Sequence, residues 1–172
     1  MDDHIDKATA NLKAWTVRVR KGEAEDFLRR VSEAARAGGS EVLIVKGEFV
    51  FGSDHMKSAL YHARKAIQEG RNASDSVAME TLLYSSGERQ LGSAIKKMSV
   101  DRDTESVVVV RLSGTGLVPE EGWKEIPRIP SAVDMAGLRR FGVSDRELET
   151  ISGERAFELV MERVASVDIL KK

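Results

Sequence analysis

Two histidines close in sequence, one acid among apolar residues and two glycine-rich turns are the places where this chain could carry chemistry. His55 and His62 stand seven residues apart, which sets both on one flank of a helix. A metal ion there would need a third ligand, and only Asp54 and Glu69 are local candidates. Such histidine pairs are mostly surface or edge residues, so no metal is expected. Gly47-x-x-x-x-Gly52-Ser53 has the glycine spacing of a phosphate loop but lacks the lysine that would meet the β and γ phosphates. Ser113-Gly-Thr-Gly116 runs into Leu-Val-Pro-Glu rather than a helix and reads as a turn. Glu80 needs a partner in its apolar stretch, and nearby backbone amides or Arg89 would supply one. No nucleophile–base set emerges, so the sequence predicts no catalytic residue, no cofactor and no enzymatic activity.

A stripe of cations is the stronger signal. Lys57, Tyr61, Arg64, Gln68 and Arg71 follow the spacing i, i+4, i+7, i+11, i+14 and line one edge of one helix. Arg89, Ser93 and Lys96 form a second polar edge on a nearby helix. Cations interleaved with an aromatic suit single-stranded nucleic acid, because charges follow phosphates while rings stack on bases. A solvated helix face is the plain alternative. In the last helix Phe157, Val160, Met161, Val164 and Val167 form an inward stripe. Ala156, Leu159 and Leu170 fall on another side, flanking Arg163, and that second apolar side is expected to dock a partner protein.

The elements that hold these residues follow from periodicity. Trp15 to Arg20 alternates as a strand, Glu23 to Ala37 is an amphipathic helix, and Val42 to Val45 is a buried strand. Ser53 and Asp54 look like caps for a helix with the stripe Met56, Leu60, Ala63 and Ile67. Asp75 to Ser85 is apolar nearly all round and reads as a buried central helix, with another from Glu88 to Met98. Glu105 to Leu112 is a β-branched central strand. Leu117 to Pro130 holds all three prolines and reads as a loop. Helices over Ser131 to Arg140, after a capping box at Ser144 and Glu147, and over Glu154 to Ile169 complete the series. The predicted fold is α+β: a small, largely antiparallel sheet packed against a cluster of helices, one domain over residues 12–172 behind a flexible stretch over residues 1–11.

Bulk composition limits what such a domain does. With 172 residues, 32% charged and 41% hydrophobic, the chain is a globular domain of ordinary profile. No apolar run approaches the ~20 residues of a membrane span. The acidic, polar start is unlike a secretory signal, and the absence of cysteine excludes disulfides and thiol chemistry. Both point to the cytoplasm and to no membrane partner. Net charge is −1, yet Gly52 to Val100 carries seven Lys/Arg against five Asp/Glu, and Ser113 to Glu162 six against ten. That division suggests two faces with different partners.

The same residues resemble a known family. Gly52-x-x-His55-x-x-x-Ala59-x-x-x-Ala63, Asn72-Ala73, Glu80-x-Leu82-Leu83-Tyr84, Gly87-x-Arg89-Gln90 and Ala94-Ile95 are similar to the smallest kinase-binding subunit of the KEOPS complex. In animals that family is called the PRPK-binding protein, or TPRKB; this chain looks like an archaeal member. The ending Leu159-Val160-x-Glu162-Arg163-Val164-Ala165 looks like the family's C-terminal helix, while Ser99 departs from a glycine frequent there. The resemblance implies a non-catalytic, regulatory subunit of the machine that makes threonylcarbamoyladenosine in transfer RNA. Such a subunit binds and supports the kinase-like ATPase subunit and holds the tRNA 3′ CCA end. It implies RNA contacts at His55, Asn72, Arg89 and Gln90, and kinase docking around Leu159, Arg163 and Leu170. The stripes add Lys57, Tyr61, Arg64, Arg71 and Lys96 to the RNA set, and Ala156 joins the docking set. The alternative is a protein-only scaffold, or a regulatory subunit of a kinase without direct RNA contact.

Overall fold

One alternating strand and two continuous apolar, β-branched runs build most of the sheet. In the computed structural model, which describes residues 2–171, the strands are Lys13–Arg18 (β1), Glu41–Lys46 (β2), Ser106–Ser113 (β3) and Lys124–Glu125 (β4). They pair antiparallel in the order β2-β3-β1-β4. Among the described residues the helices are Asp3–Ala8 (α1), Ala24–Ala37 (α2), Ser53–Gln68 (α3), Val77–Ser86 (α4), Leu91–Met98 (α5), Met135–Phe141 (α6), Asp145–Glu149 (α7) and Ala156–Leu170 (α8). Short 3-10 turns at Gly47–Phe49 and Gly153–Arg155 join β2 to α3 and lead into α8. The fold is α+β, a four-stranded antiparallel sheet with a helical cluster, as the periodicity predicts. No helix among the described residues is long and apolar enough to cross a membrane.

Successive side chains of a strand point to opposite faces, so the sheet separates two cores. Leu43, Val45, Val108, Val110 and Leu112 join the large core, with Met56, Leu60, Ala63, Leu82, Leu83, Tyr84 and Met98 from α3, α4 and α5. On the other face Trp15, Val17, Ile44, Val107 and Val109 meet Phe27, Val31 and Ala35 of α2. Trp123, from the loop before β4, packs on this smaller core with its ring 5.9 Å from those of Trp15 and Phe27. Burying each large side chain contributes about 1.5–3 kcal/mol, so both layers matter to stability. The sheet is therefore sandwiched, with α2 on the face away from the helical cluster.

Several local expectations change. Ser53 and Asp54 do not cap α3 through their side chains; their backbone amides donate to Pro127 O and Arg128 O at 2.9 and 3.0 Å. Asp54 instead accepts from Arg128 at 3.1 Å. The proline-rich loop thus satisfies the orphan amides at the start of α3, and it contributes β4, too short to show as alternation. The helix predicted from Ser131 starts only at Met135, where Asp134 caps α6 by accepting from the Ala136 amide, while Ser144 and Glu147 form the capping box of α7 as expected. The stretch over residues 1–11 contains α1, a single polar turn and a half with no buried residue. Gly116 packs on Gly38 so closely that a Cβ there would lie 1.8 Å from Gly38 O. That contact, rather than a ligand, accounts for the Ser113 to Gly116 turn.

Candidate functional site

α4 ends at Gly87 in the left-handed conformation, with φ +68°. The chain turns there into Arg89 and Gln90 and starts α5. Beside this corner runs α8, whose Arg163, Ser166 and Leu170 are spaced i, i+3, i+7 and so share a face. Between them lies a groove of about 440 Å3, lined on one wall by Arg89, Gln90, Ser93 and Lys97 and on the other by that α8 face, with Phe141 and Gly142 closing one end. A Cβ on Gly87 would stand 3.1 Å from that of Arg163, so glycine lets the two walls approach.

The groove is cationic and its floor is fixed. Lys97, only 13% exposed at its side chain, donates to Ser86 O at 2.8 Å, to Phe141 O and to Glu88 at 3.1 Å. One ammonium therefore satisfies carbonyls at the C-termini of both α4 and α6, where helix dipoles are negative. Burial pushes its pKa down, opposed by the hydrogen bond to Glu88. Arg163 spans from α8 to both Glu147 oxygens at 2.7 and 2.8 Å and to Gly142 O at 3.2 Å. The Glu147 carboxyl is held below its usual range by the Ser144 hydroxyl and amide, and by Arg163. Arg89, by contrast, is exposed and makes no hydrogen bond or ion pair among the described residues. It is the cation in this wall free to meet an incoming anion.

The groove brings together two residues of the RNA set, Arg89 and Gln90, and two of the docking set, Arg163 and Leu170. Ala156 and Leu159 do not join them: they are 1% and 9% exposed within the large core, so the second apolar side of α8 is covered by its own chain. His55 is also an interior residue. Its Nδ1 accepts from the Phe51 amide at 3.1 Å and its Nε2 donates to Ser85 O at 2.8 Å, with Phe51 and Phe141 packed around the ring. Neither an RNA nor a metal reaches it in this conformation. Lys57, Tyr61 and Arg64 lie along α3 beneath α1. Arg71 pairs with Glu69 and Asp168, and Asn72 bonds Ser74 O and Asp75. Lys96 is exposed in a neighbouring depression that also holds Arg140 and Glu48.

Glu80 takes the first of its two expected partners and not the second. It accepts from the Ala73 and Ser74 amides, each at 3.0 Å, and pairs with Lys171 at 2.8 Å instead of Arg89. Lys171 also donates to the Tyr84 hydroxyl at 3.0 Å. That hydroxyl donates in turn to Asp168, which His62 meets at 2.8 Å and Arg71 at 3.2 Å. Burial alone would raise the Asp168 carboxyl, but the Tyr84, His62 and Arg71 donors bring it below the usual range. Burial and the Asp168 carboxylate both push the Tyr84 phenol up. Every group in this chain of contacts is matched, so it fastens α8 to α3 and α4.

Burial lowers the His55 pKa from 6.5 to about 4, against a smaller raising effect of its bond to Ser85 O. The unfolded chain therefore binds more protons between these values, so the stability from a neutral His55 is present above about 6.5 and lost as pH falls toward 4. From pH 7 to pH 5 the loss should be about 2 kcal/mol. Urea midpoints at the two pH values check this, and His55→Gln should flatten the dependence.

Comparison with known proteins bears on this geometry. The family model of the kinase binding protein CGI-121 matches residues 23–138. The chain belongs to the CGI-121 family. Among curated proteins the chain has no match. The CGI-121 match runs from the start of α2 into α6 and so includes Arg89, Gln90 and Lys97, while α1 and α8 lie outside it. The sequence reading took Lys96 as the third residue of the α5 edge and missed Lys97. Arg89, Ser93 and Lys97 fit the spacing i, i+4, i+8 as well as Lys96 fits i+7, and that choice was the only signal available. Asp168 and Lys171 were missed too; a carboxylate in an apolar helix was the clue.

Proposed function

We propose that this chain is a non-catalytic, regulatory subunit that docks a kinase-like ATPase partner along the α5–α8 groove. We propose further that it acts within a KEOPS-type assembly making threonylcarbamoyladenosine in tRNA, in the cytoplasm, and there holds the single-stranded tRNA 3′ CCA end. Membership of a kinase-binding family over residues 23–138 carries the first part. Supporting it, the groove offers what a docking surface needs: an apolar contact in Leu170, 39% exposed, beside the exposed guanidinium of Arg89, which has no partner among the described residues. The exposed cations Arg89 and Lys96, with Gln90 between them in sequence, support contact with an RNA tail.

Leu170→Glu should leave the fold intact and weaken co-purification with the kinase-like subunit by at least tenfold, about 1.4 kcal/mol or more. With about three phosphates contacted, tRNA affinity should fall with salt at a log–log slope of roughly −2. Arg89→Ala should flatten that slope across all tRNAs, since phosphate contacts carry no sequence information. Filter binding with tRNA lacking its CCA end should show most affinity lost. Equal affinity for the shortened tRNA sinks the tail-holding part. The protein-only reading draws on one observation: Lys57, Tyr61 and Arg64 already have partners within the chain.

A further inference from the structure

Those internal partners share a pattern. Each of the first three residues of the α3 stripe, in order, meets a group of α1. Lys57 Nζ pairs with the Asp6 carboxylate at 3.0 Å. The Tyr61 ring meets the His4 imidazole edge-on, centroids 5.7 Å apart. Arg64 Nη1 donates to Ala8 O at 2.9 Å, and its Nη2 reaches Leu112 O at 3.2 Å. The groups that α1 presents are an anion, a flat heteroaromatic ring and a second oxygen acceptor. A single-stranded nucleic acid would present phosphate, base and phosphate to the same three side chains.

We infer that α1 is a built-in occupant of the cation–aromatic stripe on α3, displaced when a single-stranded polynucleotide binds there. The inference rests on the RNA-binding reading above and adds a regulated site to it. α1 is suited to leave. It is six residues long, too short to persist alone, and buries none of them. Its charged anchors are part-exposed: Asp6 is 31% exposed where it meets Lys57 and also Arg128, at 3.1 Å. Thr9 and Leu12, 1% and 3% exposed, fix the chain just beyond, so the helix can swing out with no loss to the large core. Its start is acidic, with Asp2, Asp3 and Asp6 within five residues, so displacement removes like charge from the path of a polyanion. The cleft between α1 and α3, about 600 Å3 and lined by His4, Tyr61, Arg64 and Lys65, gives the entering strand a place to start.

The test uses the full chain and a labelled eight-nucleotide RNA ending in CCA, followed by fluorescence anisotropy at fixed salt. Asp6→Asn weakens the clasp and should tighten RNA binding by about three- to tenfold, while the conservative Asp6→Glu leaves it unchanged. Hydrogen exchange read at residues 5–9 gives an independent measure, and saturating RNA should speed it. If RNA binds and Asp6→Asn gives no gain, or if RNA slows exchange at these amides, α1 is no competitor and the inference fails while RNA binding stands. If neither protein binds the RNA, the RNA-binding reading falls and takes the inference with it. A melting curve of Asp6→Asn within a degree or two of the parent shows that the change is local.

Discussion

Leu159→Glu is expected to destabilise the protein by about 3–5 kcal/mol, enough to unfold a large share of a marginally stable domain at 37 °C. On sequence this residue belongs to an exposed docking side of the last helix. In the structure it is 9% exposed and part of the core that also holds Leu138, Phe141, Leu148 and Val160. A carboxylate there loses its water, and Arg163 one turn on is already engaged by Glu147 and Gly142 O, so the change is among the costliest available to a core. Leu170→Glu, three turns further along the same side of the helix, should stay within about 0.5 kcal/mol of the parent because its side chain already meets solvent. Urea denaturation of the two variants side by side decides the matter. Equal midpoints would mean that α8 is not packed as described.

Glu80→Ala is the second large effect expected, a loss of about 3 kcal/mol or more. The cost comes less from the pair itself than from what stays behind. The Ala73 and Ser74 amides lose their acceptor, and the Lys171 ammonium, 8% exposed, keeps only the Tyr84 hydroxyl. Glu80→Gln preserves an acceptor for the amides and should cost clearly less. A double-mutant cycle with Lys171→Met should return a coupling of about 1–3 kcal/mol. Additive effects would mean that the two side chains do not share one buried contact.

Where one periodicity dominated, the sequence was readable. The alternation in β1, the continuous apolar runs of β2 and β3 and the single stripe of α2 each specify one kind of element, and the structure agrees to within a residue or two. The all-round apolar α4 was legible as central for the same reason. What failed was assigning second faces. The Ala156, Leu159 and Leu170 side of α8 looks continuous on a helical wheel. Yet it is covered at its beginning by its own chain and open only at its end. No local pattern states where a distant loop and two short helices will lie. Of the four residues expected to dock a partner, Arg163 and Leu170 therefore line the groove, while Ala156 and Leu159 are interior. His55 failed similarly: a histidine on a helix flank looks available until Phe51 and Phe141 close over it. Arg89 and Gln90, in the turn between α4 and α5, are exposed.

Both tryptophans of the chain, Trp15 and Trp123, sit in the small core beneath α2, on the far side of the sheet from the groove and from the α3 stripe. Intrinsic tryptophan emission is therefore a spectroscopic reporter of one layer. It should stay silent when a protein or an RNA engages the helical side, so titrations need a probe placed there, or a label on the ligand. The same separation makes emission useful against circular dichroism, which is dominated by the helices opposite. Coincident melting curves from the two signals would show that the strands transmit unfolding from one layer to the other. Divergent curves would show a partition across which the two cores melt in turn.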